Sequence, residues 1–278
     1  MKGGINIQKK IDRLKLRSVQ IALETGLLQG HRDYTRFVIL GRGRSGSNFL
    51  TSLLKSHNQV ICFGEIFNNS RQDIIRWRGQ RYTTSSDLLL RESDPIRFIS
   101  TRVFSNLPKK IKAVGFKIFY YHAQEEKWKC IWPYLKNMTD LRIIHLKRRN
   151  LLRYYLSQKI ALMTNQWTIF SDENAYRDIS VELSYKDCLK AFEQTHQYQK
   201  QYQDFFVDHP IIDVFYEDLS SNTEREIRRI ESFLGVTHQN LQSATKKQAR
   251  QPLSEMISNY TELKSQFYDT SWLEFFDD

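Results

Sequence analysis

R-F-V-I-L-G-R-G-R-S-G-S-N-F-L-T-S-L-L, residues 36–54, is the stretch whose reading decides the fold. Phe37, Val38, Ile39 and Leu40 form a short continuous apolar run, the pattern of a strand buried on both faces of a parallel sheet. The run stops at Gly41. Beyond Gly46, Phe49, Leu50, Leu53 and Leu54 fall at helical spacing. Strand, glycine-rich turn and helix start aim several backbone N–H groups and the positive end of a helix dipole at one point, which suits a phosphate.

Three ligands fit such a loop. Gly41, Gly43 and Gly46 match the dinucleotide fingerprint G-x-G-x-x-G, and Glu65 lies where a ribose-binding acid belongs, ~20 residues on. Gly41 and Gly46 also match the outer glycines of the nucleotide P-loop, but Ser47 and Asn48 stand where it needs Lys and Ser or Thr. A kinase would thereby lack its main charge on the β- and γ-phosphates. The remaining choice centres on Arg44, followed by Ser45, Gly46, Ser47, Asn48 and Phe49. This R-S-G-S-N-F resembles the 5′-phosphosulfate loop of sulfotransferases, whose cytosolic members carry K-S-G-T-T-W. Against all three stands a plain turn that starts a helix, for which arginines among glycines are a poor choice.

Composition sets the bounds. The chain has 278 residues, 40% hydrophobic and 13% aromatic, enough for one large globular domain. A formal charge of +11 favours anionic partners without choosing among them. No nucleic-acid motif accompanies the charge, so a polyanion-binding module explains less than an enzyme does. Cys62, Cys130 and Cys188 are far apart and show neither zinc spacing nor a disulfide framework. Reduced thiols and the lack of a signal-peptide pattern or a ~20-residue apolar span fit a cytoplasmic protein without a transmembrane segment.

Further strands are expected at 59–63 (Q-V-I-C-F), 113–119 (A-V-G-F-K-I-F), 141–146 (L-R-I-I-H-L) and 211–215. Helices are expected around 86–91, over 123–135, from 150 to about 163, over 183–207, from 219 to 234 with Gly235 as its cap, and from 254. Residues 1–35 form a basic segment, helical over 5–29, that packs on the domain or meets a membrane surface. Residues 67–110 and 165–182 are uneven and polar, and suit substrate-side insertions. The pattern is a single α/β domain, 36–278: a central parallel β-sheet of about five strands flanked by helices, with a P-loop-like phosphosulfate-binding loop.

A second anion-binding constellation follows the fourth strand: K-R-R-N-L-L-R-Y-Y-L-S-Q, residues 147–158. Arg149 lies at the strand–helix junction and Ser157 eight positions later. Eight helical residues rise ~12 Å, so one phosphate meets both only if Arg149 sits in the turn and reaches back. The spacing resembles the sulfotransferase 3′-phosphate motif, with Leu151 in place of the usual Pro. Y-E-D-L (216–219), E-S-F-L-G (231–235), G-F-K-I-F and G-E-I-F-N extend the resemblance, which is closest to bacterial carbohydrate and glycolipid sulfotransferases of the Nod-factor type. The R-K-G triplet of cytosolic members is absent; Lys246, Lys247 and Arg250 are its candidate replacements.

The resemblance implies a donor, 3′-phosphoadenosine 5′-phosphosulfate (PAPS), with PAP as product and no metal, and a carbohydrate or glycolipid acceptor. It implies that Arg44, Ser45, Gly46, Ser47 and Asn48 bind the 5′-phosphosulfate, that Phe49 lies against the adenine, and that Arg149 and Ser157 bind the 3′-phosphate. Glu65 is the implied base, which would work best with its acidity weakened by burial. Arg44 and Lys117 would offset charge developing on the leaving group. His122 and His145 are rival bases, His145 being better placed as a core histidine. A dehydrogenase or kinase sharing the loop remains the competing class.

Overall fold

Thr35–Gly41 forms strand β1 and Ser47–Ser56 helix α1, on either side of the glycine-rich turn. In this computed structural model the described residues are 18, 22–23, 25, 27–70, 74, 83–167, 179–243 and 251–277. Val60–Glu65 is β2, Ala113–Phe119 β3, Arg142–Lys147 β4 and Ile211–Phe215 β5. All pair in parallel, in the order β2-β3-β1-β4-β5. The apolar runs expected to be strands are strands. Those at 113–119 and 211–215 have the expected bounds, and β2 extends two residues further, to Glu65.

The helices between the strands are α2 (Ser85–Ser93), α3 (Pro95–Phe98, continued by a π-helical turn at Ile99–Val103), α4 (Ile131–Lys136), α5 (Leu151–Thr164) and α6 (Tyr185–Phe205). After β5 come α7 (Tyr216–Ser221), α8 (Thr223–Leu234), α9 (Leu253–Met256), α10 (Tyr260–Gln266) and a 3-10 turn at Ser271–Phe276. Gly235 caps α8 in the left-handed region at φ 70°, as expected. The helix expected over 123–135 begins only at Ile131, because Pro133 is tolerated in a first turn and not in a helix interior.

Alternation along β1 divides the core. Val38 and Leu40 face one side with Phe63, Phe116, Ile118, Trp128 and Phe206; Phe37 and Ile39 face the other with Leu50, Leu54 and Cys62 and with Ile227, Ile230 and Leu234 of α8. Each fully buried Val, Leu, Ile or Phe among them contributes roughly 1.5–3 kcal/mol. A further cluster joins α5 and the start of α6 to Leu253, Phe267, Phe275 and Phe276 at the C-terminal end. The 67–110 segment is more than a polar wall. Phe67, Phe98, Ile99, Val103 and Phe104 belong to the first core, and Arg91 is buried with its guanidinium 4.9 Å from the Trp128 ring centre.

Two expectations lie largely outside the described residues. Of the N-terminal helix, Ser18, Ala22 and Leu23 are helical; of 165–182, residues 168–178 are not described, nor are Lys246, Lys247 and Arg250.

Strand order places the site. β1 and β4 are neighbours, yet the chain leaves β1 toward β2 and leaves β4 toward β5. Their carboxyl ends therefore flank a crevice at a topological switch point, where α/β proteins bind ligands. The order also bears on the dinucleotide reading. In the dinucleotide fold the second strand lies beside the first; here β3 stands between them.

Candidate active site

The turn between β1 and α1 depends on two left-handed residues. Arg44 has φ 65° and Gly46, the N-cap of α1, has φ 82°. At Gly46 a Cβ would come within 2.2 Å of Tyr216 Cδ2, so only glycine fits. Ser45 is buried and its hydroxyl donates to the Arg42 carbonyl at 2.6 Å, which folds the turn onto itself. Ser47 and Asn48 open the helix, and Phe49 packs partly buried against the core beside α1. The first-turn N–H groups of α1 point back along the helix axis toward the turn at the end of β1.

Lys117 binds this turn to the neighbouring strands. It is 3% exposed within the otherwise apolar β3. Its Nζ donates to Ser47 Oγ at 3.2 Å and to Asn48 Oδ1 at 2.6 Å, and forms an ion pair with Glu65 Oε1 at 3.0 Å. The cation that the loop lacks by P-loop standards is therefore supplied from another strand, at the residues where the P-loop carries its Lys and Ser or Thr. Buried charges are tolerated when paired in this way.

Glu65 owes its orientation to a β-bulge. Phe63 pairs with Phe116 and Glu65 with Lys117, leaving Gly64 as the extra residue. In unbroken register Glu65 would oppose Ile118, on the sheet face that Phe63 and Phe116 fill with apolar side chains. The bulge turns the carboxylate to the lysine. Glu65 is 8% exposed and accepts from Asn68 Nδ2 at 2.7 Å through Oε2, with His122 Nε2 3.9 Å from the same oxygen.

The rival bases are differently occupied. His122 Nδ1 accepts from the Phe119 backbone N–H at 3.2 Å, which leaves Nε2 as the protonated nitrogen of the neutral ring. In that tautomer His122 presents an N–H rather than a lone pair toward Glu65. His145 is fully buried between Tyr120 Oη at 2.6 Å and Gln203 Oε1 at 3.3 Å, a core histidine. Burial, and then the Lys147 charge, lowers its pKa to about 4.

The second constellation meets the first through Arg44. Arg44 Nε donates to Ser157 Oγ at 2.9 Å and its Nη1 to the Trp167 carbonyl at 2.6 Å. Arg148 Nη1 donates to the Arg44 carbonyl at 3.1 Å, and its guanidinium lies 5.1 Å from the Tyr216 ring centre. Burial pulls the Arg148 pKa down to about 10. Arg149 takes another direction. Its fork makes a bidentate pair with Asp218 at 2.6 and 2.7 Å, while Glu217 accepts from the Arg149 and Asn150 backbone N–H groups at 3.0 and 3.4 Å. That pairing raises the Arg149 pKa and lowers that of Asp218. Asn150 then caps α5 by accepting from Arg153 N at 2.8 Å.

The turn, Lys117, Glu65 and Ser157 are thus linked by direct contacts, with Arg149 on Asp218 at the rim. Tyr216 and Asn68 are neighbours that motif reading did not single out, and Arg148, which lies with Arg149 at the strand–helix junction, was given no role of its own. Tyr216 and Asn68 stood inside quoted patterns, Y-E-D-L and G-E-I-F-N, at the ends of strands. That position was the available signal.

Residues 36–240 match the model of the sulfotransferase family. Nodulation protein H of Rhizobium tropici is 27% identical over 243 residues, 87% of this chain and 92% of the relative. For nodulation protein H of Rhizobium meliloti the identity is 24%, over 87% and 94% of the two chains. A sulfotransferase from Alicyclobacillus acidocaldarius, solved by crystallography, is similar at a TM-score of 0.47 and 16% identity, covering 86% of this chain and 93% of that one. The family match runs from the second residue of β1 past the cap of α8 and takes in every strand of the sheet, the glycine-rich turn and the 148–157 segment, and the chain belongs to the sulfotransferase family.

Proposed function

We propose that this sulfotransferase moves a sulfuryl group from PAPS to a hydroxyl of a carbohydrate or glycolipid acceptor, with Glu65 as general base. The observation that carries the reading is the Lys117 ammonium, which touches Ser47 and Asn48 of the phosphate turn and Glu65 at once. A group bound at the turn is thereby set beside a buried carboxylate.

In the transfer, the acceptor oxygen attacks sulfur as Glu65 takes its proton. The sulfur–oxygen bond to the 5′-phosphate breaks, and its electron pair passes to the phosphate oxygen of PAP. Lys117, Arg44 and the N–H groups at the start of α1 offset the charge that gathers there. Phe49 lies against the adenine. The 3′-phosphate, which distinguishes PAPS from ATP, is held by Ser157 and by Arg149. Arg149 exchanges the Asp218 carboxylate for phosphate oxygens, since both suit its planar fork. The acceptor class rests on the resemblance to bacterial carbohydrate and glycolipid sulfotransferases, and 67–110 and 165–182 are the segments that select it.

A thermal-shift panel tests the donor. PAP is expected to raise the melting temperature where ATP, NAD and NADP do not; a shift with NAD alone, or an equal one with ATP, overturns the reading.

A further inference from the structure

The Glu65 carboxylate is held from a second side, by Asn68. After β2 the chain turns, with Asn68 N donating to the Glu65 carbonyl at 3.3 Å, and the turn brings the Asn68 side chain back to the carboxylate. The amide can face only one way. Ser70 N–H, a group that only donates, points at Asn68 Oδ1 at 3.0 Å, and the Ser70 hydroxyl adds a second contact at 2.9 Å. With Oδ1 receiving those donors, Nδ2 is the end that meets Glu65 Oε2 at 2.7 Å.

We propose that Asn68 is a positioning residue for Glu65, clamping Oε2 from one side while Lys117 holds Oε1 from the other. The inference rests on the reading of Glu65 as the base and deepens it. A carboxylate on a short edge strand, two residues after a buried apolar run, has rotamers to lose. The two donors restrict its orientation and favour its ionised form, the form that accepts the acceptor's proton. Among the described residues, His122 Nε2 at 3.9 Å and Tyr121 also face it, the Tyr121 pKa being raised by burial and then by the Glu65 charge. Lys117 cannot report on positioning alone, because it also binds Ser47 and Asn48. The Asn68 amide meets Glu65 and Ser70, so its removal spares the phosphate turn.

The test uses Asn68→Ala and the near-isosteric Asn68→Asp. Each is assayed for kcat against pH with PAPS and the best acceptor from an oligosaccharide and glycolipid panel, and for PAP affinity. In Asn68→Ala, kcat is expected to fall on the order of 10- to 100-fold. Its acidic limb should move up by roughly one pH unit, because a hydrogen bond to the ionised carboxylate is lost. In Asn68→Asp the added negative charge moves the limb further in the same direction. PAP affinity stays at the wild-type value in both. An unmoved limb overturns the proposal whether kcat is retained or lost, since loss alone would make Asn68 a fold element. Should Asn68→Ala not fold, Asn68→Asp carries the test. Glu65→Gln, run alongside, separates the two failures: wild-type turnover there removes the base and Asn68 together, whereas an inactive Glu65→Gln beside unaffected Asn68 variants removes the positioning role alone.

Discussion

Arg149 and Ser157 show how far a spacing argument reaches. The eight-residue interval required Arg149 to sit in the turn, and it does, immediately ahead of the N-cap Asn150. Where its guanidinium goes depends on Asp218, which β5 and α7 bring alongside from a distant part of the chain. No local pattern contains that partner. Ser157 meets Arg44 for the same reason, a tertiary contact between α5 and the phosphate turn. If Arg149 holds the 3′-phosphate, Arg149→Ala should weaken PAP binding far more than binding of adenosine 5′-phosphosulfate, which lacks the 3′-phosphate. Competition titrations with both ligands check it, and equal losses would contradict a 3′-phosphate role. At Gly46 the forecast is steric. Gly46→Ala forces a Cβ against Tyr216 at φ 82°, and is expected to cost about 1–3 kcal/mol and to abolish PAP binding.

At the scale of elements, the strands were legible because a parallel sheet buried on both faces demands continuous apolar runs, and Phe37 to Leu40 and residues 113–119 supply them. The glycine-rich turn was legible because its backbone needs glycine at Gly46. The bulge at Gly64 was not. It exists only in relation to β3, which pairs with β2 although β1 comes before it in the chain and the insertion after. Lys117 was expected to offset charge on a leaving group, but its contacts with Ser47 and Asn48 on α1 and with Glu65 on β2 are tertiary and no local pattern contains them. The two glycines therefore behave differently. At Gly64 a Cβ meets nothing within 4 Å, so Gly64→Ala is expected to leave the melting temperature and turnover near wild type. Thermal melts and assays of Gly64→Ala beside Gly46→Ala measure the contrast; a Gly64→Ala protein as damaged as Gly46→Ala would refute it.

For the molecule as a whole, His145 couples the sheet interior to pH. It is neutral when folded, with its pKa lowered to about 4, and binds a proton in the unfolded chain near pH 6.5. The unfolded state binds more protons between those values, so stability falls as pH drops through that window, by up to about 3 kcal/mol. Lys147 and Asp213 act on the same ring with opposite signs, Lys147 the stronger. Urea unfolding of wild type and His145→Gln at pH 7 and pH 4.5 should show a shallower loss in the variant; parallel losses would mean the histidine does not titrate in this way. The candidate site depends on the same sheet. β1, β2, β3 and β4 each deliver part of it to one edge, so the glycine-rich turn, Glu65, Lys117 and the 148–157 segment converge only once the parallel order β2-β3-β1-β4-β5 is complete.

The most direct test is a single-turnover assay with sulfur-labelled PAPS and an oligosaccharide and glycolipid panel, run with wild type and Glu65→Gln at matched PAPS occupancy. Label is expected on one acceptor's hydroxyl with release of PAP, and the rate in Glu65→Gln is expected to fall by about 10²–10⁴ while PAP binding is retained. Failure of wild type to label any acceptor would contradict transfer to this acceptor class, and wild-type rates in Glu65→Gln would contradict Glu65 as the base.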